Sequence, residues 1–261
     1  MQKYEFLDTS GVGPPNWSSI SYKDTIKFAN NTSKETGIRP EYLVAILSQE
    51  SSQGTDLGSC FLFDPKLFGK GVGVDFRKGV FTTRLMKPTR DVEPFLSIMH
   101  DLGRDPFYTP VSCPMKIGFG GAMGPMQILP STWVLVKERA AIALGKRIVD
   151  PWIPEDAFMA AAIHLKDMGA EHGTIADERR AACRYFSGKS CGKNKSFIAR
   201  YGDSIVKKTY YFQKILRPGS LVAKSAPKHK AISKAKHKAG LKKKKKLHQS
   251  VKRSVQKHKT K

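Results

Sequence analysis

Residues 40–54 read PEYLVAILSQESSQG, and the fold turns on how that stretch is read. Pro40 suits the first turn of a helix, where its missing N–H costs nothing, and Gly54 suits a C-terminal cap. The spacing therefore predicts one helix of about four turns. Leu43, Ile46, Leu47 and Glu50 fall at i, i+3, i+4 and i+7 and so share a face. A carboxylate that continues an apolar stripe is costly to bury in its charged form. Desolvation favours the neutral form, which makes Glu50 a candidate acid held partly protonated near neutral pH. The competing reading puts Glu50 at the edge of the stripe, pointing to water.

Upstream, Ser21 and Asp24 approximate a capping box for a helix running to about Thr36, with Gly37 as its stop. The tight connection to the Glu50 helix predicts an antiparallel pair. Downstream, from 55 to about 119, glycines and prolines interrupt every period, and only Glu93 to Leu102 reads as a short helix. A loop-rich insertion of this length is usually functional or held by crosslinks. Cys60 and Cys113 stand at its ends, while Cys183 and Cys191 bracket a short glycine-containing segment. No CxxC or Cys/His spacing typical of zinc occurs, so no metal site is expected. Two disulfides in an oxidising compartment are the expectation, with four buried thiols as the alternative and the pairing left open.

Residues 118–127, GFGGAMGPMQ, form a glycine-dense turn. It is no phosphate loop, because no Gly-Lys-Ser/Thr closes it, and no strand-and-crossover pattern marks it as a dinucleotide fingerprint. It offers backbone that a ligand can approach closely and the positioned amide of Gln127; the bland alternative is a tight structural turn. Beyond it, Ser131 suits the N-cap of a helix to about Leu144. Further helices are read from about Glu155 to Met168, from the cap Thr174 to about Phe186, and from about Ser196 to Leu216, with Pro218-Gly219 after the last. The chain is mostly α: an irregular lead-in at 1–20, a helical domain at 21–216 and a tail at 217–261.

Charge separates the tail from the rest. Of 46 basic and 22 acidic residues in the chain, 17 basic and no acidic ones lie in 217–261, including five consecutive lysines at 242–246. Such a segment buries too little apolar surface to offset its ordering entropy and is expected to be disordered alone. It has no interleaved aromatics for base readout. It is expected to bind dense polyanions, such as acidic wall polymers, anionic membrane surfaces or nucleic acid, or else to be merely solvated. No apolar run approaches 18 residues, so no membrane span is expected, and residues 1–13 lack the basic and apolar regions of a secretory signal.

Three stretches together carry a resemblance. They are Gln49-Glu50-Ser51, then Gly121 to Trp133 (GAMGPMQILPSTW), then Asp150 to Ala157 (DPWIPEDA). This combination resembles the lytic transglycosylases, within the lysozyme-like superfamily, and among them the membrane-bound lytic transglycosylase B type. The resemblance spans roughly 21–216 and implies a lysozyme-like helical domain with a long loop-rich insertion. It implies that Glu50 is the sole catalytic acid and base, and that Ser51 beside it, Met126, Gln127, Tyr185 and Phe186 are the substrate-binding residues. It also implies that Gln127, next to Met126, contacts the sugar near the scissile bond. An aromatic of the family on a later helix corresponds to Tyr185. Phe186 stands where the family has asparagine, and Gly118 stands where the B type often has a serine.

What the resemblance implies is cleavage of the MurNAc-GlcNAc β-1,4 bond of peptidoglycan without water and without a cofactor, leaving a 1,6-anhydro end. The action would lie in the cell envelope or outside the cell, by a monomer working on glycan strands. Phe107 and Tyr108 are candidates for stacking on sugar rings, whereas Trp17, Trp133 and Trp152 are expected in the core. His100, His164 and His172 are read as structural or surface residues, and Asp91, Glu93, Asp101 and Asp105 match no calcium loop. Two rivals stay open: a hydrolytic muramidase using Glu50 with Asp56 as second carboxylate, and a glycan- or polyanion-binding protein without catalysis.

Overall fold

A helix that is apolar on every side belongs at the centre of a domain, and the Glu50 helix is such an element. The computed structural model describes residues 20–116, 118–192 and 196–217. Its elements are Tyr22–Thr36 (α1), Pro40–Ser51 (α2), Cys60–Leu62 (β1), Pro65–Phe68 (α3), Gly73–Asp75 (β2), Val80–Thr82 (β3), Val92–Asp101 (α4), Pro130–Leu144 (α5), Pro154–Asp167 (α6), Ile175–Ser187 (α7) and Phe197–Leu216 (α8). The lead-in up to residue 19, with Trp17, and the tail from 218, with Pro218-Gly219, lie outside the described residues. Tyr42 to Leu47 are all buried, so α2 is enclosed on all sides where the sequence implied a single stripe. Its most extensive neighbour is α8, with α1 and α6 also against it, while α7 packs on α8 and α5 on α6.

The ends of the helices follow local chemistry. Ser21 accepts the Asp24 N–H and caps α1, which stops at the left-handed Gly37. Pro40 opens α2. The helix ends at Ser51 rather than running to Gly54, because Ser52 and Gln53 turn left-handed at φ 50° and 63°. The Ser51 hydroxyl then accepts the Gly54 N–H at 2.8 Å. For α5, Pro130 rather than Ser131 is the first helical residue and Leu129 is the N-cap. Ser131 instead donates its hydroxyl to the fully buried Asp91 at 2.7 Å, so a carboxylate from the insertion holds this helix end. Thr174 and Ser196 cap α7 and α8 as the sequence predicts.

The insertion is more ordered than its broken periodicity suggests. It contains the antiparallel sheet β1-β2-β3, which the sequence reading missed, along with the predicted α4. Strands of three residues are too short to show alternation above the surrounding glycines. Two disulfides are present, Cys60–Cys113 and Cys183–Cys191. The first ties β1 to the segment at Val111, which also pairs with Cys60 through the backbone.

Candidate active site

Glu50 sits in the last turn of α2, where the enclosed helix emerges into a cleft of about 280 Å³. Asp56, Ser59, Asp75, Arg77, Cys113 and Gln127 are among the residues that share this cleft. Loss of water around the carboxyl pushes the Glu50 pKa up to about 7, against the opposing pull of a Tyr201 hydrogen bond and the Lys208 charge. Tyr201 Oη donates to Glu50 Oε1. Lys208 is anchored on the same helix by donating to the Ser48 carbonyl and hydroxyl at 3.2 and 3.3 Å. Ser204 donates to Gln49 Oε1 at 2.9 Å. One face of α8 therefore clamps the end of α2, and an acid of fixed orientation, partly protonated near neutral pH, results.

Tyr201 was not found from the sequence. It lies on α8, distant in the chain and in no motif, and only the α2–α8 packing brings its hydroxyl to Glu50. Phe186 supports it, stacking on the Tyr201 ring at 4.5 Å between centroids. Burial, followed by the nearby Glu50 charge, raises the Tyr201 pKa well above the usual value, so the hydroxyl keeps its proton and remains a donor.

The glycine turn is a tight hairpin. Met123 and Ile128 pair across it, and Gln127 is left-handed at φ 50°, an unfavourable conformation for a side chain with a Cβ. Its amide Nε2 donates to the Gly124 carbonyl at 2.8 Å, which fixes the side chain beside the cleft. The turn is held from behind by the DPW-PEDA segment. Arg104 binds both carboxylate oxygens of Asp150 at 2.9 and 2.6 Å, Asp156 accepts the Asp150 N–H at 2.9 Å, and the Trp152 indole donates to the Pro110 carbonyl at 3.2 Å. Gly124 lies so close to this segment that a Cβ would stand 1.7 Å from the Pro151 carbonyl oxygen, at φ +64°. Gly124→Ala is therefore expected to cost about 3 kcal/mol, measured as a lowered midpoint in chemical denaturation.

Other predicted site residues take different places. Ser51 is 1% exposed; its hydroxyl closes the helix end and does not face the cleft. The Met126 side chain is wholly buried, and its contribution is a backbone carbonyl that accepts the Tyr185 hydroxyl at 2.6 Å. Tyr185 thus positions the glycine turn, with the half-buried His164 ring against its own. Asp56 is exposed and binds Arg77 at 2.8 Å; that hydrogen bond holds its pKa below the usual carboxylate range. Phe107 packs on the core, and Tyr108, although exposed, does not line the cleft. Trp133 and Trp152 are core. Cys60, Asp75 and Cys113 gather their ligand atoms, but the two sulfurs are bonded to each other, which removes them as metal ligands.

The sequence profile of the transglycosylase SLT domain matches residues 21–187. No curated protein matches the chain. Solved structures similar to it include the Escherichia coli lytic transglycosylase Slt35 in complex with bulgecin A, at 21% identity, 57% of this chain, 46% of that chain and a TM-score of 0.35. Slt35 in complex with calcium gives the same identity and coverage with a TM-score of 0.36. The present chain thus covers less than half the length of these solved chains.

Proposed function

This chain belongs to the transglycosylase SLT domain family, and from that membership and the setting of Glu50 we propose that it is a peptidoglycan lytic transglycosylase. The observation that carries the reading is that, of the three carboxyls lining the cleft beside Gln127, Glu50 has its pKa raised, to about 7, whereas Asp56 and Asp75 are held below the usual carboxylate range. Glu50 as the acid protonates the glycosidic oxygen, and the bond from that oxygen to the MurNAc C1 breaks. The sugar's own N-acetyl group stabilises the anomeric centre. The Glu50 carboxylate then takes the proton of the C6 hydroxyl, whose oxygen closes on C1 as a 1,6-anhydro ring. No water is consumed, and the acid is regenerated. Gln127 positions the sugar; Tyr185 holds the turn that carries Gln127. Two disulfides support a site of action in the cell envelope or outside the cell.

Mass spectrometry of muropeptides released from purified peptidoglycan tests the reaction. Products with 1,6-anhydro ends are expected. Products heavier by one water would replace this reading with a hydrolase using Asp56, a second carboxylate lining the same cleft.

Tyr201 acts through Glu50. Its hydrogen bond lowers the Glu50 pKa, so Tyr201→Phe is expected to raise that pKa further. Activity requiring the protonated acid falls as pH rises through that value; in the variant the falling limb therefore moves to higher pH. An unshifted limb in kcat/KM against pH would reduce Tyr201 to a packing role.

A further inference from the structure

We propose that the outer face of the β1-β2-β3 sheet docks on an anionic lipid bilayer. The strand register sets Phe61, Val74 and Phe81 side by side across the three strands, and the two-residue alternation of strands places them on one face. Ring contacts extend the face: Phe61 on Phe76 at 4.7 Å, Phe63 on Phe81 at 5.0 Å and Phe63 on Phe68 at 4.8 Å. The opposite face carries Cys60 and Leu62, both wholly buried, and Asp75, which lines the Glu50 cleft. A glycan in the cleft thus meets the other side of the sheet from the phenylalanines.

Five phenylalanines are more than is needed to cover Val74; Phe61 and Phe63 are half-buried and the other three remain wet. Phe68, Phe76 and Phe81 are each between 43% and 47% exposed, and Leu67 beside them is 76% exposed. Basic residues outnumber acidic ones around them. Between residues 60 and 88 the chain has six exposed basic residues against Asp64 and Asp75; Arg77 and Lys78 line the Glu50 cleft, where they pair with Asp56 and Asp75, which leaves Lys66, Lys70, Arg84 and Lys87 for the rim, Lys70 being paired with Glu93. Of the two acids, Asp75 is buried on the opposite face. Exposed rings with a basic rim fit the boundary between headgroups and acyl chains, where the rings enter and long cationic side chains reach the anionic headgroups. A hydrophilic polyanion would satisfy the rim and leave the rings in water. This inference does not depend on the catalytic reading.

The test is cosedimentation of the full chain with phosphatidylglycerol or phosphatidylcholine vesicles over a range of salt, for the wild type and Leu67→Ser/Phe81→Ser. The tail's lysines supply a salt-sensitive attraction of their own, so the readout is binding that persists at high ionic strength. The wild type is expected to retain such binding and to prefer phosphatidylglycerol, and the double variant to lose about tenfold in partitioning. Should the double variant melt early, Leu67→Ser alone, at a side chain largely in water, is expected to lose roughly threefold. Equal binding by wild type and variant, or no salt-resistant component, would overturn the proposal. So would an unchanged vesicle affinity combined with loss of self-association in sedimentation velocity or of binding to purified peptidoglycan; these outcomes would assign the face to a second copy of the chain or to the wall polymer.

Discussion

Replacement of Glu50 by Gln is expected to reduce the release of 1,6-anhydro muropeptides by about three to four orders of magnitude, the upper end for loss of a general acid, because one group serves as acid and then base. The same substitution is expected to stabilise the fold at alkaline pH. The Glu50 pKa rises from 4.5 to about 7 on folding, so the folded chain holds this proton more tightly than the unfolded one. The associated stability is present below pH 4.5 and is lost as pH rises to about 7. Above that, the wild type carries a buried charge that the amide lacks, and Glu50→Gln gains up to about 3 kcal/mol. The amide oxygen can still accept from Tyr201, so the packing of α8 on α2 survives. Chemical denaturation of both proteins at pH 4 and pH 8 checks the sign. A variant no more stable at pH 8 would mean that the carboxyl is well solvated, and retained activity would remove Glu50 from the reaction.

The second large effect concerns the insertion. Loss of Cys60–Cys113, which closes a loop across 53 residues, is expected to cost about 4 kcal/mol from unfolded-state entropy, against 2–3 kcal/mol, on the same scale, for Cys183–Cys191 across 8. Cys60→Ala/Cys113→Ala should therefore unfold at a clearly lower denaturant concentration than Cys183→Ala/Cys191→Ala. Activity should fall as well, since Cys113 lines the cleft and the bond holds β1 against Val111. A smaller loss for the long loop than for the short one would show that the insertion retains its order without the crosslink.

Local chemistry made the helical frame legible. Pro40, Gly37, Thr174 and Ser196 each act through neighbours within a turn, so their effects are fixed by sequence spacing and reappear as helix ends. The apolar stripe at Leu43, Ile46 and Leu47 identified the helix that became the core and carried Glu50 to its end. Even so, the exact stop at Ser51 was set by a serine hydroxyl reaching Gly54, and the N-terminus of α5 by Asp91 from forty residues away. The small sheet escaped notice because its strands are short and its pairing is non-local.

For the site, the sequence by itself determined which carboxylate to single out and which glutamine accompanies it, since both lie in contiguous motifs. Only the tertiary structure decided what surrounds that carboxylate. The Tyr201 hydroxyl and Lys208 arrive on α8, more than 150 positions later, and desolvation, the largest cause of the raised pKa, depends on what encloses a group in space. The same holds for Ser51 and Met126, adjacent to functional positions in sequence yet buried, because a helix turns successive side chains in different directions and a tight hairpin leaves room for few of its own at the surface.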